Sequence, residues 1–248
     1  MKKGIPSFFT SLGLLSGCIS IIFAASYKDL TWAGYFILIA AFFDFIDGFA
    51  ARALNRISEF GKQLDSLADV ISFGLAPSMI LYQLIVLSYV KSSPGDNFDF
   101  MNPEPLPTVM LLSAFLVAVF SALRLAKFNL DPAQKKNFKG LAVPANALFI
   151  AALGFATETS IAIPASGIIL TKGFLIAVII LSCYMLVSNI SMFSLKFTTY
   201  GFRENSIRYL FLICSVILLI IFRLPGFAPV IIVYVIMSLV NNWLVKMD

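Results

Sequence analysis

Apolar runs of about membrane-spanning length recur along the whole chain, and that recurrence constrains the fold more than any other feature. They cover residues 7–25, 31–54, 63–90, 107–128, 143–158, 173–191, 206–222 and 226–245. A helix needs about 20 mostly apolar residues to cross a bilayer, so eight crossings would take roughly 160 residues. Of the 248 residues in the chain, that leaves only short connections. A soluble domain carries about 25% charged residues, whereas this chain has 12%, with 60% hydrophobic. A soluble globular fold is therefore excluded. The expected fold class is all-α, a polytopic membrane helix bundle of about eight transmembrane helices forming one domain over residues 1–248. Met1, Lys2 and Lys3, ahead of an apolar stretch ending in Ala24, Ala25 and Ser26, imitate a secretory signal. Because further spans follow, that stretch is read as the first membrane helix.

With the N-terminus assigned to the cytosol, alternation through eight helices places Lys2, Lys3, Arg52, Arg56, Lys62, Arg124, Lys127, Lys135, Lys136, Lys139, Lys196, Arg203, Arg208 and Lys246 inside. Lys28, Lys91, Lys172 and Arg223 remain outside. This bias follows the positive-inside rule, so the net charge of +5 reports topology and not nucleic-acid binding. Both termini and the active site are expected on the cytosolic face of the cell (inner) membrane. The polar, proline-rich stretch from Lys91 to Pro107 reads as the longest outer loop. No internal repeat or low-complexity segment is seen.

Histidine is absent, which removes imidazole acid–base chemistry, His-liganded metals and Ser-His or Cys-His nucleophiles. Cys18, Cys183 and Cys214 lie in apolar runs without metal-ligand spacing and read as small hydrophobes. Chemistry is left to carboxylates, cations, hydroxyls or a bound ion.

The apolar pattern breaks in the second helix and at the start of the third. At 100° per residue, Asp44, Asp47, Gly48 and Ala51 share one face with Arg52 at its margin, and Gly61, Asp65 and Asp69 form a stripe at i, i+4, i+8. With a turn near residues 56 and 57, Asp44 lies level with Asp69 and Asp47 with Asp65, and four carboxylates converge at one depth. An Asp at the centre of a membrane helix costs about 2.5 to 3.5 kcal/mol, so four would cost on the order of 10 to 14 kcal/mol uncompensated. Pairing with Arg52, Arg56 or Lys62 is one compensation. A divalent cation, or two, serves better, and an all-oxygen ligand set selects Mg²⁺ or Mn²⁺ over Zn²⁺. Two such ions would make a phosphoryl-transfer site. Gly48, Ala51 and Gly61 read equally well as helix-packing positions or as a surface against which a nucleotide lies flat.

These residues carry a family resemblance. The pattern Asp44-x2-Asp47-Gly48-x2-Ala51-Arg52-x8-Gly61-x3-Asp65-x3-Asp69 resembles the full signature of the CDP-alcohol phosphotransferases. The resemblance implies a membrane enzyme with a six-helix core, commonly a homodimer, that moves a phosphatidyl group from a CDP-linked lipid to an alcohol and releases CMP. It also implies that Asp44, Asp47, Asp65 and Asp69 hold two metal ions, that Asp69 is the base, and that Gly48, Ala51, Arg52 and Gly61 line the nucleotide. LDSLADVISFGLAP (64–77), ALRLAKFN (122–129) and FKGLAVP (138–144) resemble the phosphatidylserine synthase branch. The likeness covers roughly residues 5–150. Ser7 stands where the family often has Asn, and Ala142 where Pro is frequent, while Thr10 is retained. The implied substrates are CDP-diacylglycerol and L-serine, in contact with membrane lipids.

Arg124, Lys127 and Asn129 end the fourth helix, and Lys135, Lys136 and Lys139 follow it. The three later lysines read as attraction to anionic head groups. Arg124 and Lys127, nearer the membrane interior, need a partner that a lipid phosphate or the serine carboxylate would supply, and Asn129 or an aspartate would accept from the serine ammonium. Asn189, with Ser188 and Ser191, is expected inside the sixth helix as an interhelical hydrogen-bonding group. Two rival readings are the same chemistry with glycerol phosphate or inositol phosphate as acceptor, and a cation transporter. A single acidic cluster in one hairpin, without repeated halves, argues against transport.

Overall fold

The computed structural model describes residues 5–53, 59–92, 105–130, 139–158, 163–193, 201 and 205–245. Arg56, the outer loop at 93–104 and the basic residues Lys2, Lys3, Lys135, Lys136, Lys196, Arg203 and Lys246 lie outside them.

The apolar runs fold as helices. The first is α1 (Ile5–Ile22), extended by a π-turn at Phe23–Tyr27, and the second is α2 (Leu30–Ala53). The third is continuous: α3 (Glu59–Asp69) passes through a π-helical turn at Val70–Leu75 into α4 (Ala76–Ser92). A break after α5 (Pro105–Ser113) divides the fourth, which resumes as α6 (Leu116–Leu130). Then come α7 (Val143–Glu158), the short α8 (Ile163–Ile169), α9 (Lys172–Val187), α10 (Ser206–Phe222) and α11 (Phe227–Val245). Among the described residues the only extended pairing is an isolated bridge between Lys139 and Ser191.

Five segments are long and apolar enough to cross a membrane: Ser7–Tyr27, Leu30–Ala53, Glu59–Ser92, Thr108–Leu130 and Leu224–Trp243. The other three, α7, α9 and α10, have 16, 16 and 17 residues. At 1.5 Å per residue they reach about 24 to 26 Å against a hydrocarbon core of about 30 Å. Of the three, α7 is the most enclosed. It lies against α2, α4 and α11, and Ala147, Ile150, Ala151, Leu153 and Phe155 are all buried.

Successive segments alternate in direction. Thr10 meets Asp47, and the Ser20 hydroxyl donates to the Ala33 carbonyl at 2.7 Å, so α1 and α2 are antiparallel. The end of α7 meets the start of α2 through Glu158, and Lys172 at the start of α9 sits 3.7 Å over the Tyr89 ring near the end of α4. The start of α7 meets the end of α9, and Asn242 of α11 donates to the Ser191 carbonyl. The start of α1, the end of α11 and all four aspartates therefore share one end of the bundle. Arg52, Lys62, Arg124, Lys127, Lys139 and Arg208 belong to that end, and Lys28, Lys91, Lys172 and Arg223 to the other.

One expectation is corrected. The sixth helix stops at Val187 and Ser188 is extended, so Ser188, Asn189 and Ser191 lie beyond it. The Leu141 N–H donates to the Met185 carbonyl at 2.9 Å, taking the acceptor that a further helical turn would have used. Gly140 allows this approach. Its φ is +71°, and a Cβ there would lie 2.9 Å from the carbonyl oxygens of Met185 and Leu186.

Close packing centres on other small residues. A Cβ on Gly17 would stand 2.7 Å from the Ser72 Cα, and the Ser72 hydroxyl donates to the Gly13 carbonyl at 3.0 Å. This presses α1 onto the π-turn that follows Asp69.

Candidate active site

Helical spacing puts Asp44 and Asp47 on one side of α2 and Asp65 and Asp69 on one side of α3. Carboxylate oxygens of Asp44, Asp47 and Asp65 all lie within 4.8 Å of one another. Asp69 lines the same cavity, together with Thr10, Gly13, Ala40, Ala68, Ser72 and Phe73. It stands outside the tight trio, within electrostatic reach of its three members and of Arg124. The expected convergence of four thus resolves into three plus one.

Little in the protein offsets this charge. The Thr10 hydroxyl donates to Asp47 at 2.7 Å. Among the described residues no side chain donates to Asp44, Asp65 or Asp69, and the one ion pair is Lys62 with Glu59 at 3.1 Å. Arg52 is exposed. Two ionised carboxylates at such a separation repel by on the order of 3 kcal/mol at an effective dielectric of 20, whereas one neutral hydrogen bond returns about 1 kcal/mol. The imbalance favours a bound cation, and the all-oxygen donor set fits a hard divalent ion. Asp44, Asp47 and Asp65 are placed to hold one.

The two readings of the small residues separate at Gly48. A Cβ there would meet only the Arg52 guanidinium of its own helix, at 3.7 and 3.9 Å. No neighbouring helix requires a glycine at this position, and the face is open. Ala51 and Gly61 are half-buried. The three residues at the end of α6 also separate. Arg124 is half-buried and within electrostatic reach of Asp69 and Tyr234. Lys127 is exposed and approaches the Asn189 side-chain oxygen at 3.4 Å, while Asn129 donates to the Ser66 hydroxyl at 2.8 Å, tying α6 to α3.

Thr10 and Ser72 belong to the cavity and were not singled out as site residues. Their signal was present, since Thr10, Gly13 and Gly17 recur at i, i+3, i+7 and mark the face of α1 that meets the acidic hairpin.

Fold and site together define an integral membrane protein with a cluster of carboxylates at one end of a helix bundle. The chain belongs to the CDP-alcohol phosphatidyltransferase family, whose sequence model matches residues 3–240. The match extends well past residue 150, where the likeness carried by the motifs ends. The chain is 32% identical over 151 residues to the CDP-diacylglycerol–serine O-phosphatidyltransferase of Bacillus subtilis, covering 61% of this chain and 75% of that protein. It is 35% identical over 147 residues to the enzyme of the same name from Helicobacter pylori, covering 58% and 54%. To the archaetidylserine synthase of Methanothermobacter thermautotrophicus it is 34% identical over 163 residues, covering 64% and 62%. The matches thus span from about half to three quarters of the length of these relatives.

Proposed function

We propose that the protein, as a single domain, transfers the phosphatidyl group of CDP-diacylglycerol to the hydroxyl of L-serine, giving phosphatidylserine and CMP. The observation that carries this reading is the carboxylate trio within 4.8 Å beside the open face at Gly48, in a chain whose relatives bear names of serine-using transferases. Asp44, Asp47, Asp65 and Asp69 would hold Mg²⁺ or Mn²⁺, in this reading two ions. Bound there, the ions supply neutralisation of the pyrophosphate charge.

The remaining roles fall to side chains. Gly48, Ala51 and Gly61 leave room for the nucleotide, and Arg52, reaching back over Gly48, pairs with its phosphates. Asp69, beside the trio and not within it, takes the proton of the serine hydroxyl as that oxygen attacks the lipid-bound phosphorus. Arg124, the cation within electrostatic reach of Asp69, binds the serine carboxylate in this reading, with Lys127 and Asn129 exposed further along the same helix. Lys127 meets the acceptor or lipid head groups, and Asn129 acts through its tie to Ser66.

Purified protein supplied with CDP-diacylglycerol and a panel of alcohols tests the reading. CMP release is expected with serine. Rapid turnover with glycerol phosphate or inositol phosphate but not serine overturns it.

The aspartate end is assigned to the cytosol because the basic residues concentrate there. Single-cysteine variants at Asp99 and Lys136 are expected to react with an impermeant thiol reagent from opposite sides of sealed vesicles. A homodimer, implied by the family resemblance, is expected on cross-linking in native membranes, and a strictly monomeric protein there excludes it.

A further inference from the structure

We infer that Ser121 and Asn146 join Arg124 in a pocket that takes the carboxylate of the amino-acid acceptor. This rests on the serine reading above.

Three buried side-chain polar atoms among the described residues have no hydrogen-bond partner: Ser121 Oγ, Arg124 Nε and Asn146 Nδ2. Ser121 is 0% exposed and Asn146 1%. Unpaired buried groups are rare in native proteins and call for a cause. Three other buried serines are satisfied. Ser78 donates to the Gly74 carbonyl one turn back, Ser88 to Ile85, and Ser20 across to Ala33. The same outlet lies one turn behind Ser121 and goes unused.

The three groups belong to elements gathered around one short segment, the π-turn that directly follows Asp69. Ser121 and Arg124 share a face of α6 at i, i+3, and that face meets the turn. A Cβ on Gly74 would lie 3.2 Å from the Ser121 Cβ. Arg124 interacts electrostatically with Asp69, and α7, with Asn146 in its first turn, packs on both the turn and α6. One cationic N–H, one amide NH₂ and one hydroxyl make a donor-rich set on the elements that pack around the turn following Asp69. Its complement is an anion of carboxylate or phosphate type, and the reach of Arg124 to Asp69, on the element that leads into the turn, favours the acceptor carboxylate over the lipid phosphate.

The test is steady-state kinetics on Asn146→Leu and Ser121→Ala in detergent, varying serine and CDP-diacylglycerol separately and recording thermal unfolding. For each variant kcat/KM for serine is expected to fall about ten- to hundredfold, with the KM for CDP-diacylglycerol within about twofold. Leu is near-isosteric with Asn, so thermal stability is expected to hold or rise as an unpaired amide is removed. Unchanged serine dependence in folded variants overturns the pocket. A raised KM for CDP-diacylglycerol with serine unaffected overturns it in favour of the lipid phosphate. If Asn146→Leu fails to fold, Ser121→Ala decides alone. Wild-type protein that cannot use serine refutes the functional reading itself, whereas wild-type turnover with unaltered variants refutes only the pocket.

Discussion

Acidic groups meet both ends of α2, and the chain treats them in opposite ways. At the start, the Glu158 carboxylate accepts from the N–H of Leu30 at 3.0 Å, from the N–H of Thr31 at 3.2 Å and from the Thr31 hydroxyl. It satisfies the free amides of a helix N-terminus, where the helix dipole also favours an anion. Toward the other end, three carboxylates crowd within 4.8 Å, and among the described residues Thr10 is the one side chain that donates to them. Glu158 is completed by its own chain and holds two helices together. Among the described residues the aspartates are left largely without such partners, which suits the proposed site for a cation and a phosphate-bearing substrate.

The largest expected effect breaks this contrast directly. Asp44→Asn or Asp65→Asn should lower kcat/KM by on the order of 10³-fold. In excess EDTA the same changes should raise thermal stability, because they relieve repulsion. Wild-type protein should lose turnover in EDTA, and full turnover there would sink the cation reading. Next come two glycines that look alike in sequence. Gly17→Ala forces a Cβ against the Ser72 backbone and should destabilise by about 1 to 3 kcal/mol or more. Gly48→Ala should fold normally and raise the KM for CDP-diacylglycerol. The reverse pattern would return Gly48 to a packing role.

Thr10 sharpens the comparison, being the one side chain that treats a site aspartate as Glu158 is treated. Thr10→Ala should cost about 10- to 100-fold in activity or metal affinity, and Thr10→Ser should restore most of it. An equal loss in both variants would mean the methyl group matters and the hydroxyl does not. Smallest is Glu158→Gln, which keeps the shape but weakens the cap. About 1 kcal/mol of stability should be lost with kcat unchanged, measured by thermal unfolding with and without EDTA. Dependence of that loss on EDTA would link Glu158 to the cation site and erase the distinction.

Much of this was legible in the residues. Segment boundaries such as 143–158 and 206–222 follow from where apolar runs begin and end, and the alignment of Asp44 with Asp47, or Asp65 with Asp69, follows from helical spacing. The end of α9 was not legible, because Ser188, Asn189 and Ser191 lie among Ile190, Met192 and Phe193 and suit the inside of a membrane helix as interhelical hydrogen-bonding groups. What stops the helix is the backbone of Leu141, more than forty positions away in the chain.

The sequence by itself determined an all-α membrane bundle and which side chains share a helix face, since both depend on one helix and its periodicity. Tertiary structure alone decided what lies between helices. It drew three aspartates together and set Asp69 apart, made Gly17 a contact and Gly48 an opening, and left Ser121 and Asn146 buried without partners. The physical reason is that spacing along a helix is set by local backbone geometry, whereas the distance between two helices depends on how closely every side chain along their crossing lets them approach.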